Sequence, residues 1–178
     1  MKIILVAVIS INGKTTKGND PNVHDWSSPE DRKYFSSLIK KSELVIMGRR
    51  TFLAAQPSLK LSPTVRRVVL TKNPARYKKF EVSKQLEFTS ESPTSLTKRL
   101  GKIHQQGLLV GGAEINTAFL LANIVDEIWL TIEPKMFGCG KNLTSEMSHG
   151  SGMQLKSCKR LNKKGALLLK YSVLNGRA

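Results

Sequence analysis

The chain has 178 residues, of which 40% are hydrophobic, enough for a single domain over residues 1–178 and too many for a disordered chain. No apolar run approaches the length of a membrane span. The formal net charge of +16 raises nucleic-acid binding as a function class, but the basic residues recur as pairs along the whole chain. Lys40-Lys41, Arg66-Arg67 and Lys163-Lys164 are examples, with no aromatic-interleaved stripe and no zinc or helix-turn-helix signature. A general basic surface is therefore expected, without nucleic acid as a partner. Two cysteines, Cys139 and Cys158, make neither a disulfide framework nor a metal quartet. They are expected to be buried free thiols in a cytoplasmic protein with no metal site.

Met1 to Ile9 reads as a first, central strand, since it lacks a small-residue cleavage site and runs into the turn Ser10-Ile11-Asn12-Gly13. Residues 14 to 25 are polar and turn-forming, and are expected to be a mobile flap with no core to bury. After Trp26, Ser27-Ser28-Pro29-Glu30-Asp31 is a helix start: serine caps, proline suits the first turn, and the acids suit the positive helix end. Phe35, Leu38 and Ile39 would be its apolar face. Leu44 to Met47 is a buried strand closing on Gly48-Arg49-Arg50-Thr51, and a third strand, Arg67 to Thr71, ends at Lys72-Asn73-Pro74. A short strand near Leu86-Phe88 and an amphipathic helix from about Pro93 to His104 follow.

The central unit is Leu108 to Gly140. Leu108-Leu109-Val110 reads as a buried parallel strand, and Gly111-Gly112 allow a sharp turn at which Gly112 would need both space and positive φ. Ile115, Phe119 and Ala122 keep helical spacing, Asn123 is a stop, and Val125 to Ile132 is the next strand. Strand, glycine turn, helix and strand make a βαβ unit with a parallel sheet. Such a turn can hold a pyrophosphate at the helix N-terminus or be a tight turn with no ligand. Met153 to Leu161 and Leu167 to Leu174 read as an antiparallel hairpin.

Three strand ends thus carry ligand-type residues: Gly48 to Thr51, Thr71-Lys72 and Gly111-Gly112. Ligands bind at the carboxyl ends of strands in open parallel sheets, and arginine offers a phosphate a bidentate fork. Arg49, Arg50 and Lys72 therefore point to NADP over NAD, unless the arginines are plain surface charges. Asp31 can relay a proton if burial raises its pKa, or it can serve the helix dipole.

These segments resemble known reductases. Val45 to Phe52 resembles a segment of dihydrofolate reductases, and Trp26-Ser27-Ser28-Pro29-Glu30-Asp31 is similar to their Trp-x-x-Pro-x-Asp. The resemblance implies Asp31 as catalytic acid, with Trp26, Phe35 and Thr131 in the substrate site. Leu109 to Ile115 looks like the same family's cofactor turn, which implies NADPH contacts from Val110, Gly111, Gly112, Ala113, Glu114 and Ile115, and from Ala7, Gly48, Arg49, Arg50, Thr51, Thr71 and Lys72. Other segments resemble the sister group, the riboflavin-biosynthesis reductases (RibD C-terminal domain). Ser10 to Lys14 is similar to its Ser-x-Asp-Gly-Lys, which adds Asn12 and Gly13 to the cofactor contacts. Thr51 to Leu59 and Val125-Asp126-Glu127 with Pro134 and Gly138-Cys139-Gly140 look like its further motifs.

The resemblance implies an α/β, dihydrofolate reductase-like three-layer sandwich with a mostly parallel central sheet and a C-terminal antiparallel hairpin. It also implies an NADPH-dependent reductase acting on a small pyrimidine or pteridine, and leaves a homodimer open. A ribosylaminopyrimidine phosphate substrate stands slightly ahead of dihydrofolate, with a non-catalytic nucleotide-binding protein as the alternative from another class. Both substrate anchors depart from pattern. Val65 stands where dihydrofolate reductases carry an arginine, Arg66 faces the other way, and Lys60 is what the loop after Pro57-Ser58-Leu59 offers in place of the riboflavin reductase's arginine.

A general basic surface has a measurable signature. DNA binding followed by fluorescence anisotropy should be weak at low salt and vanish before physiological salt. Binding that persists there, with a steep log–log salt slope, would reinstate a nucleic-acid function.

Overall fold

The computed structural model describes residues 1–174. Eight strands form one sheet: β1 (Lys2–Ser10), β2 (Leu44–Gly48), β3 (Arg66–Leu70), β4 (Leu86–Thr89), β5 (Gln106–Leu109), β6 (Glu127–Glu133), β7 (Gly152–Arg160) and β8 (Leu167–Leu174). Their order is β4-β3-β2-β5-β1-β6-β8-β7. The strands from β4 to β6 in that order run parallel, while β8 and β7 pair antiparallel. This is the expected mostly parallel α/β sheet with a C-terminal antiparallel hairpin. β1 is central, flanked by β5 and β6, so the crossover between those two strands spans it.

Four helices cover the two faces: α1 (Pro29–Lys41), α2 (Arg49–Ala55), α3 (Pro93–Leu100) and α4 (Ala113–Leu121). On one face Ile4, Val6 and Leu108 pack against Leu38 and Ile39 of α1, and Val45, Met47 and Val69 surround Phe52 of α2. On the other, Ile3, Leu5, Ile46 and Val68 meet Leu96 and Leu100 of α3 and Phe119 of α4. Fully burying one such side chain contributes about 1.5–3 kcal/mol, whereas a surface ion pair such as Lys2–Glu127 contributes about 0–1. Apolar packing of helices on the sheet therefore dominates stability.

Local signals set most helix ends. Ser28 caps α1 by accepting from the Asp31 amide at 3.2 Å, with Pro29 in the first turn. Ser92 caps α3 in the same way, accepting from the Ser95 amide at 3.2 Å. That helix ends at Leu100, short of the expected His104, because Gly101 takes the cap position. α4 stops before Asn123, which has φ +54°.

Two expectations need correction. The first part of the expected flap, residues 14 to 18, is not free. The Thr15 amide donates to the Lys141 carbonyl at 2.8 Å and the Gly18 amide to the Cys139 carbonyl at 3.0 Å. The Lys141 amide donates to Oγ1 of Thr16, whose side chain is buried. β1 and β6 are adjacent and parallel, so the loops leaving them emerge together and satisfy each other's backbone. The cysteines are exposed, not buried. Cys139 lies in the loop beyond β6, and Cys158 lies on the edge strand β7, which is exposed along its whole length.

Candidate active site

The ends of β2 and β5 meet at the glycines. The Gly48 amide donates to the Gly111 carbonyl at 2.7 Å. Gly111 has φ +99°, and its peptide bond to Gly112 is cis. Positive φ therefore belongs to Gly111, and not to Gly112, which has φ −83° as the N-cap of α4. At Gly112 a Cβ would lie 3.4 Å from Oγ1 of Thr51, an ordinary van der Waals contact. At Gly48 it would lie 2.8 Å from Cγ1 of Ile115. The first turns of α2 and α4 are thus pressed together, and no side chain caps either helix. The nine-residue α4 leaves its first-turn amides and positive dipole end turned to the cleft, suited to an anionic group.

The cations beside this wall are not equivalent. Nη2 of Arg50 bonds Oε1 of Glu114 at 2.7 Å, joining α2 to α4 through two exposed side chains. Among the described residues, Arg49 and Lys72 have no acidic partner, and both line the cleft with Thr71. Arg76, which the sequence reading missed, lines it too.

Asp31 faces the cleft from the first turn of α1 and is buried. Burial, chiefly, raises its pKa above the ordinary carboxylate value. The neighbouring Thr131 hydroxyl pulls the other way, the Glu133 carboxylate adds to the rise, and Arg32 opposes it. β6 fixes this geometry. Oε1 of the buried Glu133 accepts from the Ser28 amide at 2.8 Å, and Nζ of Lys135 donates to the Trp26 carbonyl at 2.6 Å. Both bonds hold the N-terminus of α1 on β6. Tyr34, one turn on, has a buried hydroxyl without a hydrogen-bond partner among the described residues, and burial with the Asp31 charge pushes its pKa up to about 12.

One cleft of about 1690 Å³ connects these parts. A pocket for one drug-sized ligand measures roughly 300–1,000 Å³, so there is room for a dinucleotide and a substrate together. The cleft is lined by Ala7, Gly48, Arg49, Arg50, Thr51, Thr71, Lys72 and Val110 through Ile115 on the expected cofactor side. Asp31, Phe35, Lys60 and Thr131 line the expected substrate side, with Phe35 36% exposed at the rim. Three candidates lie off it. Trp26 is buried edge-to-face on Phe137, with ring centroids 5.1 Å apart. Asn12, beside Gly13, spends its side chain on Ser10, on the Phe137 carbonyl at 2.6 Å and on the Phe137 amide at 3.2 Å.

The sequence reading also missed Arg67. It is buried and lines the cleft, two residues beyond Val65 and therefore on the same strand face. That period-two spacing was the signal that could have found it.

With this geometry, a model of the RibD C-terminal domain matches residues 1–167. The chain belongs to the RibD C-terminal domain family. A protein of Bacillus subtilis, the uncharacterized YwjB, is 26% identical over 165 residues, covering 89% of this chain and 91% of its own. Among solved structures, a pyrimidine reductase-like protein from Corynebacterium diphtheriae superposes with a TM-score of 0.76 at 14% identity, over 97% of this chain and 92% of its own. A diaminohydroxyphosphoribosylaminopyrimidine deaminase/5-amino-6-(5-phosphoribosylamino)uracil reductase from Thermotoga maritima gives 0.74 at 17% identity. It is matched over 97% of this chain but 56% of its own. At these identities the structures share the fold.

The raised pKa of Asp31 has a consequence for stability. The folded state holds the Asp31 proton more tightly than the unfolded state. Its contribution is therefore present below the ordinary aspartate pKa and lost as pH rises through the raised folded value. Asp31→Asn should flatten that fall and be at least as stable as the wild type at neutral pH in denaturant titrations. A variant with the wild-type pH dependence would show that Asp31 is not held in its protonated form by burial.

Proposed function

We propose that this protein is an NADPH-dependent reductase delivering hydride to a pyrimidine- or pteridine-type substrate, foremost a ribosylaminopyrimidine phosphate of riboflavin biosynthesis. The observation that carries this reading is one cleft with a side-chain-free glycine wall on one side and the buried carboxyl of Asp31 on the other. Membership of the RibD C-terminal domain family supports the reaction class. The names of the solved structures, a pyrimidine reductase-like protein and a 5-amino-6-(5-phosphoribosylamino)uracil reductase, favour the pyrimidine substrate.

The residues fit the cofactor. Gly111 and Gly112 with the first-turn amides of α4 would hold the pyrophosphate, because no Cβ and no capping side chain intrudes. Arg49 and Lys72, free of acidic partners among the described residues, would hold the 2′-phosphate. Arg50 would join them after giving up a surface pair with Glu114 that costs about 0–1 kcal/mol to break. When bound, the nicotinamide supplies the hydride. Asp31, protonated over a wider pH range than an exposed aspartate, would donate the proton, and Glu133 and Lys135 keep α1 seated so that the carboxyl stays aimed at the cleft. Hydride and proton together saturate one C=N bond.

Dihydrofolate reductase is the second reading, favoured by the pairing of Asp31 with Thr131 and by the cleft position of Phe35. Steady-state NADPH oxidation, followed at the nicotinamide absorbance with each substrate, separates the two. NADPH should also bind more tightly than NADH by about 1.5–3 kcal/mol, roughly tenfold or more, and the difference should shrink as salt rises. Equal dissociation constants at low salt would contradict the phosphate contacts, and no turnover with either substrate would contradict the reductase reading.

A further inference from the structure

Asn116 is a buried amide whose acceptor is unspent. It lies one turn into α4, its own N–H donating to the Gly112 carbonyl at 3.0 Å, and it is 3% exposed yet lines the cleft. Its Nδ2 donates to the Leu143 carbonyl at 2.8 Å, and a Cβ at Gly111 would lie 3.9 Å from that nitrogen. Its Oδ1 is buried and has no hydrogen-bond partner among the described residues. A carbonyl only accepts, so the atom facing Leu143 is the amide nitrogen and the orphan is the oxygen. The group this site lacks is therefore a donor. Buried polar atoms are almost always paired, and leaving one unpaired is destabilising.

No donor among the described residues fills it. The Ser145 amide, two residues beyond Leu143, donates to Oγ1 of Thr117 at 2.9 Å, and Nη2 of Arg50 is held by Glu114. Two bonds thus tie the loop at 143–145 to α4, one of them through the Asn116 side chain. Ala7, Ala118, Leu143 and Thr144 line the same cleft. Ala7 is on β1, between β5, which runs into the glycine wall, and β6, which carries Thr131 beside Asp31. The ring end of a dinucleotide falls in this interval once its pyrophosphate rests on the glycines.

We propose that Oδ1 of Asn116 accepts an N–H from the carboxamide of the cofactor's nicotinamide ring, and so selects a primary amide at that ring position. This assignment rests on the cleft being a dinucleotide site. A primary amide brought into this corner carries two N–H donors, the complement of an orphan acceptor. The terminal torsion of asparagine is broad, so Oδ1 turns toward the ring as it seats while Nδ2 stays within reach of Leu143. The acceptor is closed to solvent beforehand, so the new bond displaces no water from it. Asn116 thereby binds and orients the ring and takes no part in the transfer of hydride or proton.

Calorimetric titration of oxidised cofactors, with no substrate and no turnover, tests it. The probes are NADP+, its 3-acetylpyridine analogue, in which a methyl group replaces the amide nitrogen, and adenosine 2′,5′-bisphosphate, which lacks the ring. Wild-type protein should bind NADP+ about 2- to 10-fold more tightly than the analogue, the worth of one neutral hydrogen bond. Asn116→Leu should bind the two equally and keep its affinity for the bisphosphate. Thr117→Val, which releases the other tie to the loop, should keep the wild-type preference. Equal binding of NADP+ and the analogue by the wild type would overturn the proposal without any variant. A preference that survives in Asn116→Leu, or that Thr117→Val loses equally, would also overturn it, the latter by assigning the effect to the loop. Bisphosphate binding without a preference for the amide removes the Asn116 contact alone, whereas binding of none of the three probes removes the dinucleotide reading with it.

Discussion

The hydrogen bond from the Gly48 amide to the Gly111 carbonyl, at 2.7 Å, sets the geometry on which the rest of the cleft depends. It extends the β2–β5 pairing by one step beyond the last apolar residues and brings the starts of α2 and α4 together. At that separation a side chain at Gly48 would strike Ile115, while a Cβ at Gly112 would make only an ordinary contact with Thr51. The same closeness lets Arg50 reach Glu114 across the mouth. Leaving the side chain out at Gly48 is therefore a packing requirement first, and the bare backbone wall that it forms with Gly111 and Gly112 is what a phosphate group can approach.

The opposite wall depends on β6. Thr131 and Glu133 lie on one face of that strand, two residues apart, and Glu133 holds the Ser28 amide that starts α1. One strand thereby seats the helix that carries Asp31 and also places a hydroxyl and a second carboxylate beside it. The two neighbours act in opposite directions on the Asp31 proton, while burial sets the overall sign. Fixing α1 by its N-terminus also leaves the middle of the helix over the cleft, where Tyr34 and Phe35 form part of the lining.

Features governed by local physics were legible in the sequence. The cap at Ser28, the glycine turn at 111–112, the C-terminal hairpin and the parallel direction of the buried strands all follow from residue type and spacing. Features that depend on distant partners were not. Residues 14 to 18 looked free because the loop that ties them down, around Lys141, lies far along the sequence. The exposure of Cys158 follows from β7 being an edge strand, which only the sheet order reveals. Trp26 carries a motif-like position but packs on Phe137, a contact no local pattern encodes. Arg67 escaped notice because a charged residue in an apolar strand reads as a strand end, whereas in the fold it is buried between β2 and β4.

The central claim is that the glycine wall between β2 and β5 is a dinucleotide site. Calorimetric titration of NADPH into the wild type and into Gly112→Val tests it most directly, with a parallel thermal melt to establish folding. A valine Cβ begins 3.4 Å from Oγ1 of Thr51, and its branched methyls extend from there into the wall. The variant should therefore be folded but somewhat destabilised, and should lose measurable NADPH binding that the wild type has. A folded variant that binds NADPH with wild-type affinity would contradict the account.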